Sequence, residues 1–321
     1  MSVENLDLTD SKILSELDKN ARISYSELGK KIRVAKETVK YRIAQLEKSG
    51  VIKGYYTVIN FSKIGYSIYR LYIRLQNIPP KTEQQMIDYL ISSKKVAVFY
   101  KINGPFHLAL GIWAKDQWDY EQFYSELKQK FGEYISSSHF SLFTEYLEFS
   151  HSYLLPGEEK ITFTTLTKTN IEKTDELDFR LLSYLSNNSR ASLVEIAKSL
   201  GTSIVTARYH LKNLINKKII IGFRPIFDLQ KFGRQYFKVD LWLISFDKKK
   251  EIRQHILSNP DVIFAERSIG GSDLEFDFEI DGFEKFIELM DGFKEKFPEE
   301  IKDYKYYSLI VNYKTSYIPS F

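Results

Sequence analysis

Residues 35–55 read "AKETVKYRIAQLEKSGVIKGY", with apolar side chains at Val39, Ile43 and Leu46 and basic ones at Lys36, Lys40, Arg42 and Lys48. Spacings of three and four put the apolar set on one face of a helix. Gly50 then supplies a left-handed C-cap. An echo follows at 203–223, "SIVTARYHLKNLINKKIIIGF", with Ala207, Leu211 and Leu214 inward and Ser203 as N-cap. A shift of 168 residues lays the two on each other without a gap. Asp10, Leu14, Ser15, Leu17, Asn20, Arg22, Ser24, Glu27, Lys30, Thr38, Tyr41, Leu46, Ile52, Gly54, Lys63 and Gly65 all fall on identical residues. The chain is a tandem duplication with a period too long for a solenoid repeat, so each copy holds whole domains.

Working outward, Thr9 or Asp10 is placed to cap a helix striped by Ile13, Leu14 and Leu17. Ser24 and Glu27 form a capping box for a short second helix bearing Leu28 and Ile32. A turn at Arg33–Val34 leads into the quoted helix, and "VIKGYYTVI", interrupted by Gly54, reads as a short hairpin or wing. Three helices and a wing describe a winged helix-turn-helix. The second copy repeats this, with Ser192, Glu195 and Gly201 in its turn. Behind each module the order is βαββαβ: "SIYRLYIRLQN", "PKTEQQMIDYLISS", "KVAVFYKINGPFHLALGIWAK", "WDYEQFYSELKQKF" and "HFSLFTEYLEFSHSYL", then "YFKVDLWLISF" to "YKYYSLIVNYKTSYI". That order is the ferredoxin-like split βαβ fold. It leaves one sheet face without helices, expected to be apolar and to need another sheet or a ligand.

The expected architecture is therefore α+β: winged helix-turn-helix at 1–62, ferredoxin-like domain at 63–155, linker at 156–174 with room for one short strand, winged helix-turn-helix at 175–230, and ferredoxin-like domain at 231–321.

Charge follows the same division. Net charge is +4 over 321 residues. Residues 9–66 hold 12 Lys and Arg against 6 Asp and Glu, and residues 177–234 hold 10 against 3, so the remainder is acidic. Basic modules on an acidic scaffold fit a polyanionic partner. The absence of cysteine removes disulfides and thiolate chemistry. No two of His107, His139, His151, His210 and His255 stand at a ligand spacing, so no metal or cofactor is expected. No run approaches the roughly 18 apolar residues of a membrane span, and the acidic "MSVENLDLTD" is unlike a signal peptide, so a cytoplasmic protein is expected. No nucleophile constellation or phosphate-binding glycine loop stands out.

These motifs ("DSKIL", "NAR", "TVKYRI", "LEKSGVI" and Gly65, ahead of a βαββαβ unit) resemble the Lrp/AsnC (feast/famine) family of transcriptional regulators. The resemblance runs through nearly the whole chain twice. It implies that the ferredoxin-like domains are dimerising, effector-sensing (RAM-type) units and that double-stranded DNA is the partner. On the first recognition helix Lys36, Glu37, Thr38, Lys40 and Tyr41 face the groove, while Arg42, Lys30, Lys31 and Arg33 hold phosphate. On the second, Ser203, Thr206, Arg208, Tyr209, Lys212 and Asn213 form the reading set, with Arg190, Lys198, Lys217 and Lys218 on phosphate. Ile204 and Val205 stand where the first helix has Lys36 and Glu37. The family's G-x-x-D turn, implicated in binding an effector such as an amino acid, is Gly270 to Asp273 in the second copy and Gly104 to His107 in the first. A simpler reading has the glycine serving a hairpin turn and Asp273 capping it.

A covalent pseudo-dimer, its two sheets packed on each other, is expected, with further homo-oligomerisation open. Two other functions compete with regulation. Siroheme decarboxylases resemble the same arrangement, and such chemistry asks for basic residues and histidines on the sheet, where His107 and Arg267 are candidates. A non-specific architectural DNA binder would lose affinity for any duplex steeply with salt.

Overall fold

The computed structural model describes residues 6–319. The first head contains α1 (Leu8–Lys19), α2 (Tyr25–Ile32) and α3 (Lys36–Lys48), and the second α6 (Glu176–Leu185), α7 (Leu193–Leu200) and α8 (Ile204–Asn216). Their apolar stripes meet as the spacing requires: Ile13, Leu17, Leu28, Val39, Ile43 and Leu46 are buried together in one core. Leu181, Leu185, Ile196, Ala207, Leu211 and Leu214 are buried in another. The first cap differs from expectation. Asp7, in extended conformation, is the N-cap and shares a capping box with Asp10, so Thr9 and Asp10 lie inside the helix. Asp175 and Asp178 repeat this box in α6. Ser24 accepts from the Glu27 amide at 3.2 Å, half of the expected box, while Ser192 and Glu195 complete theirs.

The wing is a larger correction. "VIKGYYTVI" makes no hairpin of its own. It is the single strand β1 (Ile52–Ile59), paired antiparallel with β7 (Ile220–Phe227) of the other copy, Tyr56 opposite Arg224. Gly54 marks a register shift in this ribbon rather than a turn. Each head consequently packs on the other copy's chain: Phe227 and Phe232 join the first core, and Ile59 and Ile64 the second.

The βαββαβ units are β2 (Ser67–Leu75), α4 (Pro80–Ser92), β3 (Val96–Asn103), β4 (Leu108–Ala114), α5 (Gln117–Phe131) and β5 (Ile135–Phe149), then β8 (Gln235–Leu243), α9 (Lys249–Leu257), β9 (Val262–Ile269), β10 (Leu274–Ile280), α10 (Gly282–Lys296) and β11 (Ile301–Thr315). Within the expected linker, β6 (Thr162–Leu166) adds to β5. The two 15-residue closing strands decide the topology. β5 pairs with β2 up to Leu142 and with β9 from Leu142 to Glu148. β11 pairs with β8 up to Ser308 and with β3 from there to Thr315. The pairings run β2-β4-β3-β11-β8-β10-β9-β5 and back to β2, so the expected two packed sheets are one closed ring.

Alternation assigns the faces. Leu71, Phe99, Leu110 and Ile112 meet Met86, Leu90, Phe123 and Leu127 of the covering helices, and Val239, Leu241, Phe276 and Phe278 meet Ile252, Phe286 and Met290. The opposite faces turn toward each other across the ring and enclose a cavity of about 320 Å³. Its second-copy wall is not apolar as expected: Lys238, Glu266, Asp277 and Glu279 line it, and Asp240 and Glu275 are buried beside them near Arg70 of the first copy.

Candidate DNA-binding face

A recognition helix needs a buried back, a free front and a fixed N-terminus. In the first head Arg33 ends α2 with φ 60°, a left-handed position that Gly201 fills at lower steric cost in the second head. Ala35 is the N-cap of α3 and offers no side-chain bond, whereas Ser203 accepts from the Thr206 amide at 3.0 Å in α8.

Lys36, Glu37, Thr38, Lys40 and Tyr41 are all exposed, opposite buried Val39 and Ile43. Tyr41 and its equivalent Tyr209 each expose 66% of their surface. Lys30 and Arg33 are exposed beside them. Arg42 is not: its Nη1 lies 2.7 Å from Asp7 and 3.0 Å from Asp10, joining α3 to the start of α1. Lys31 similarly pairs with Glu16 at 2.8 Å. Both were expected on phosphate and instead bind the head's own acids.

On α8, Arg208, Tyr209 and Lys212 are exposed and Asn213 is half-buried. The Ser203 and Thr206 hydroxyls are 2.8 Å apart and serve the helix cap. Ile204 and Val205 are exposed, Val205 by 74%. His210 stands where Arg42 does, 2.7 Å from Asp178 and 3.9 Å from Asp175. These three could offer ligand atoms to a metal ion. The first copy fills the same place with a guanidinium, so the group reads as an interhelical hydrogen bond. Arg190 does not reach toward phosphate either. It donates to the Ala21 carbonyl at 2.6 Å, between the heads, and Lys217 donates to the Lys173 carbonyl.

The turns expected to hold an effector lie at the junctions between copies. A Cβ on Gly104 would stand 2.9 Å from the Tyr306 carbonyl of β11, and one on Gly270 3.1 Å from the Phe140 carbonyl of β5. His107 Nδ1 accepts from the Leu75 amide at 3.0 Å, and Asp273 accepts from the Leu243 amide at 2.8 Å. Unlike as they are, the two side chains tie off the same strand end in each copy. Sequence reading did not single out the buried ion network around Arg224, Asp18, Glu148 and His151, because its members lie far apart in the chain and carry no motif.

A model for winged helix-turn-helix DNA-binding modules matches residues 6–53 and again 174–221, the two heads. An uncharacterized HTH-type transcriptional regulator of Pyrococcus horikoshii is 33% identical over 128 residues, 39% of this chain and 82% of the relative. The HTH-type transcriptional regulator LrpA of the same organism is 30% identical over 113 residues, 35% of this chain and 77% of the relative. The chain belongs to the Lrp/AsnC family. It is a DNA-binding transcriptional regulator in tandem-duplicated form, the helix-turn-helix model matching once in each copy. Across its whole length it also shares the fold of the siroheme decarboxylase NirDL, with a TM-score of 0.64 and 13% identity over 97% of this chain and 93% of that one. Among the described residues no helix is long and apolar enough to cross a membrane.

Proposed function

We propose that this regulator reads two unlike half-sites with one chain, α3 entering one major groove and α8 another about one helical turn away. The observation that supports this most directly is the pairing of β1 with β7, which fixes two heads with exposed recognition faces in one body. Lys36, Glu37, Thr38, Lys40 and Tyr41 read one half-site and Arg208, Tyr209 and Lys212 the other, with Lys30, Arg33, Lys198 and Lys218 on phosphate. Because Ile204 and Val205 replace Lys36 and Glu37, the operator is an imperfect palindrome. A small effector, such as an amino acid, is read at the Gly104 and Gly270 turns, where each copy abuts the other's closing strand. Mapping of bound DNA by footprinting, with and without amino acids, tests the reading. A perfectly symmetric site requiring two chains per half overturns the pseudo-dimer.

The whole-chain likeness to a siroheme decarboxylase invites an enzymatic reading, and the interior argues against it. Iron-uroporphyrin III, whose analogue is named with NirDL, is a large polycarboxylate macrocycle. The cavity here is about 320 Å³, and each basic side chain on its wall (Arg70, Arg224, Lys238 and His151) is already engaged by a carboxylate of the protein itself. His107 and Arg267, the candidates for such chemistry, are both exposed and do not line it. A tetrapyrrole titration without spectral change is the expected result.

A further inference from the structure

The first turn of α8 carries an apolar surface that the described residues leave open. Val205 exposes 74% of its surface, Tyr209 66% and Ile204 42%. Ala207, Leu211 and Leu214 bury the back of the helix, and at 3.6 residues per turn Val205, Arg208, Tyr209 and Lys212 share the opposite face. Val205 leads that face, one turn ahead of Arg208 and Tyr209. The polar side chains of the same turn are engaged within the helix: the Ser203 and Thr206 hydroxyls lie 2.8 Å apart, and Ser203 accepts from the Thr206 amide. What the turn presents outward is therefore hydrocarbon.

Charge says what meets it. Arg208 and Lys212 beside it, with Lys198 and Lys218 elsewhere on the head, are exposed, and none has an ion pair among the described residues. An apolar pair flanked by uncompensated cations suits a polyanion that also presents methyl groups. In B-DNA the major groove presents one, the C5 methyl of thymine, and the N-terminal residues of a recognition helix are those that contact base edges. The first head has exposed Lys36 and Glu37 at the same two positions. Their polar ends suit hydrogen bonds to bases, Glu37 to the cytosine amino group.

We infer that α8 selects thymine by its methyl group: Val205, flanked by Ile204, packs on C5 methyls of the second half-site, ahead of the contacts made by Arg208, Tyr209 and Lys212. This deepens, and rests on, the proposal that the two heads read unlike half-sites. The first head selects bases at the equivalent positions by hydrogen bonds and the second by apolar contact. Cytosine is rejected there because it lacks the methyl and brings an amino group to which Val205 and Ile204 offer no acceptor. The preference is modest, since one buried methyl corresponds to about fourfold in affinity.

Footprinting of the full chain on duplexes enriched from a randomised library locates the half-sites, and deoxyuridine, which differs from thymidine only by the C5 methyl, is then placed at each thymine in turn. At the methyl that Val205 covers, affinity should fall about fourfold. Val205→Ala should remove that sensitivity, binding the thymine and uracil duplexes alike. Val205 is exposed and alanine favours a helix, so the variant keeps its fold, and Ile204→Ala repeats the cycle at the neighbouring side chain. Two protected half-sites with no response to uracil, or a response that persists undiminished in both variants, overturns the inference and leaves the two-head reading standing. Protection of a single half-site overturns that reading and this inference with it. Self-association of the DNA-free chain that Val205→Ala abolishes would assign the surface to a second copy and likewise overturn it.

Discussion

Arg22 and Arg190, 168 positions apart, make the same hydrogen bond in opposite directions: Arg22 donates to the Ser189 carbonyl and Arg190 to the Ala21 carbonyl, each at 2.6 Å. Each guanidinium also lies over an aromatic ring of the opposite copy's ribbon strand, Arg22 over Phe223 and Arg190 over Tyr55. The pair is a local twofold built inside one chain, and it fastens the heads against the middle of the ribbon. Arg22→Ala leaves a carbonyl without its donor and should cost about 1–3 kcal/mol, seen as a lower midpoint in denaturant. The same variant should tolerate a wider range of half-site spacings in a binding assay.

Lys40 and Arg42 are two residues apart on α3 and should behave oppositely. Lys40 is exposed, with no ion pair recorded among the described residues, while Arg42 pairs with Asp7 and Asp10. Lys40→Ala should weaken DNA binding with less than about 0.5 kcal/mol change in stability. If Lys40 contacts phosphate, the log–log salt slope should fall by about 0.9. Arg42→Ala should instead lower stability, by about 1 kcal/mol for a half-exposed pair that touches buried Asp10, and leave the salt slope unchanged. Fluorescence anisotropy across a salt series, with urea unfolding in parallel, separates the two.

The ion network under the ribbon sets a pH dependence. His151 is enclosed by Asp18, with Nδ1 2.9 Å from Oδ1, and by Glu279 at 3.4 Å, and Arg224 lies alongside. Burial opposes charging of the ring, but the two carboxylates outweigh it and push the imidazolium up to about 9. The folded value exceeds the unfolded 6.5, so this stabilisation is complete below pH 6.5 and is lost as pH rises through about 9. Asp18 behaves in the opposite sense. Burial raises it, yet Arg224 and His151 hold it well below the usual carboxylate range, and its contribution is lost only in acid. His151→Gln should flatten the fall in thermal midpoint between pH 6.5 and 9; an unchanged slope there would place the titrating group elsewhere.

Much of this was legible because periodicity and duplication are local properties. Val39, Ile43 and Leu46 determine a helix face from their spacing alone, and the strands of both βαββαβ units follow from their alternation. Partner choice is not local. Nothing in "VIKGYYTVI" distinguishes a hairpin from a strand that crosses to Ile220–Phe227, because both satisfy the same backbone donors. The length of β5 and β11 was the missed sign: 15 residues exceed what one neighbour in a small sheet can pair. Arg42, Lys31 and Arg190 were assigned to phosphate by type and position, but the acids and carbonyls they meet come from Asp7, Glu16 and Ala21, which a helical wheel of the recognition helix does not contain.

Ala35 is the place where the first recognition helix departs from the second. Its backbone is extended, φ −63° and ψ 144°, the conformation of an N-cap, and α3 starts at the next residue. The first-turn amides there lack the acceptor that Ser203 provides in α8, whose oxygen takes the Thr206 amide. Thr38 is the residue equivalent to Thr206, so a serine at 35 has its amide within the same geometry. Ala35 is exposed, so the added hydroxyl meets no packing penalty. Ala35→Ser should therefore stabilise the protein by about 0.5–2 kcal/mol, read as a rise in thermal midpoint. Amide exchange resolves the cause: protection should increase at Glu37 and Thr38, in the first turn. A gain in stability without that local protection would mean that the serine acts elsewhere, and no gain would mean that α3 begins at a different residue in solution, moving Lys36 and Glu37 off the groove-facing turn.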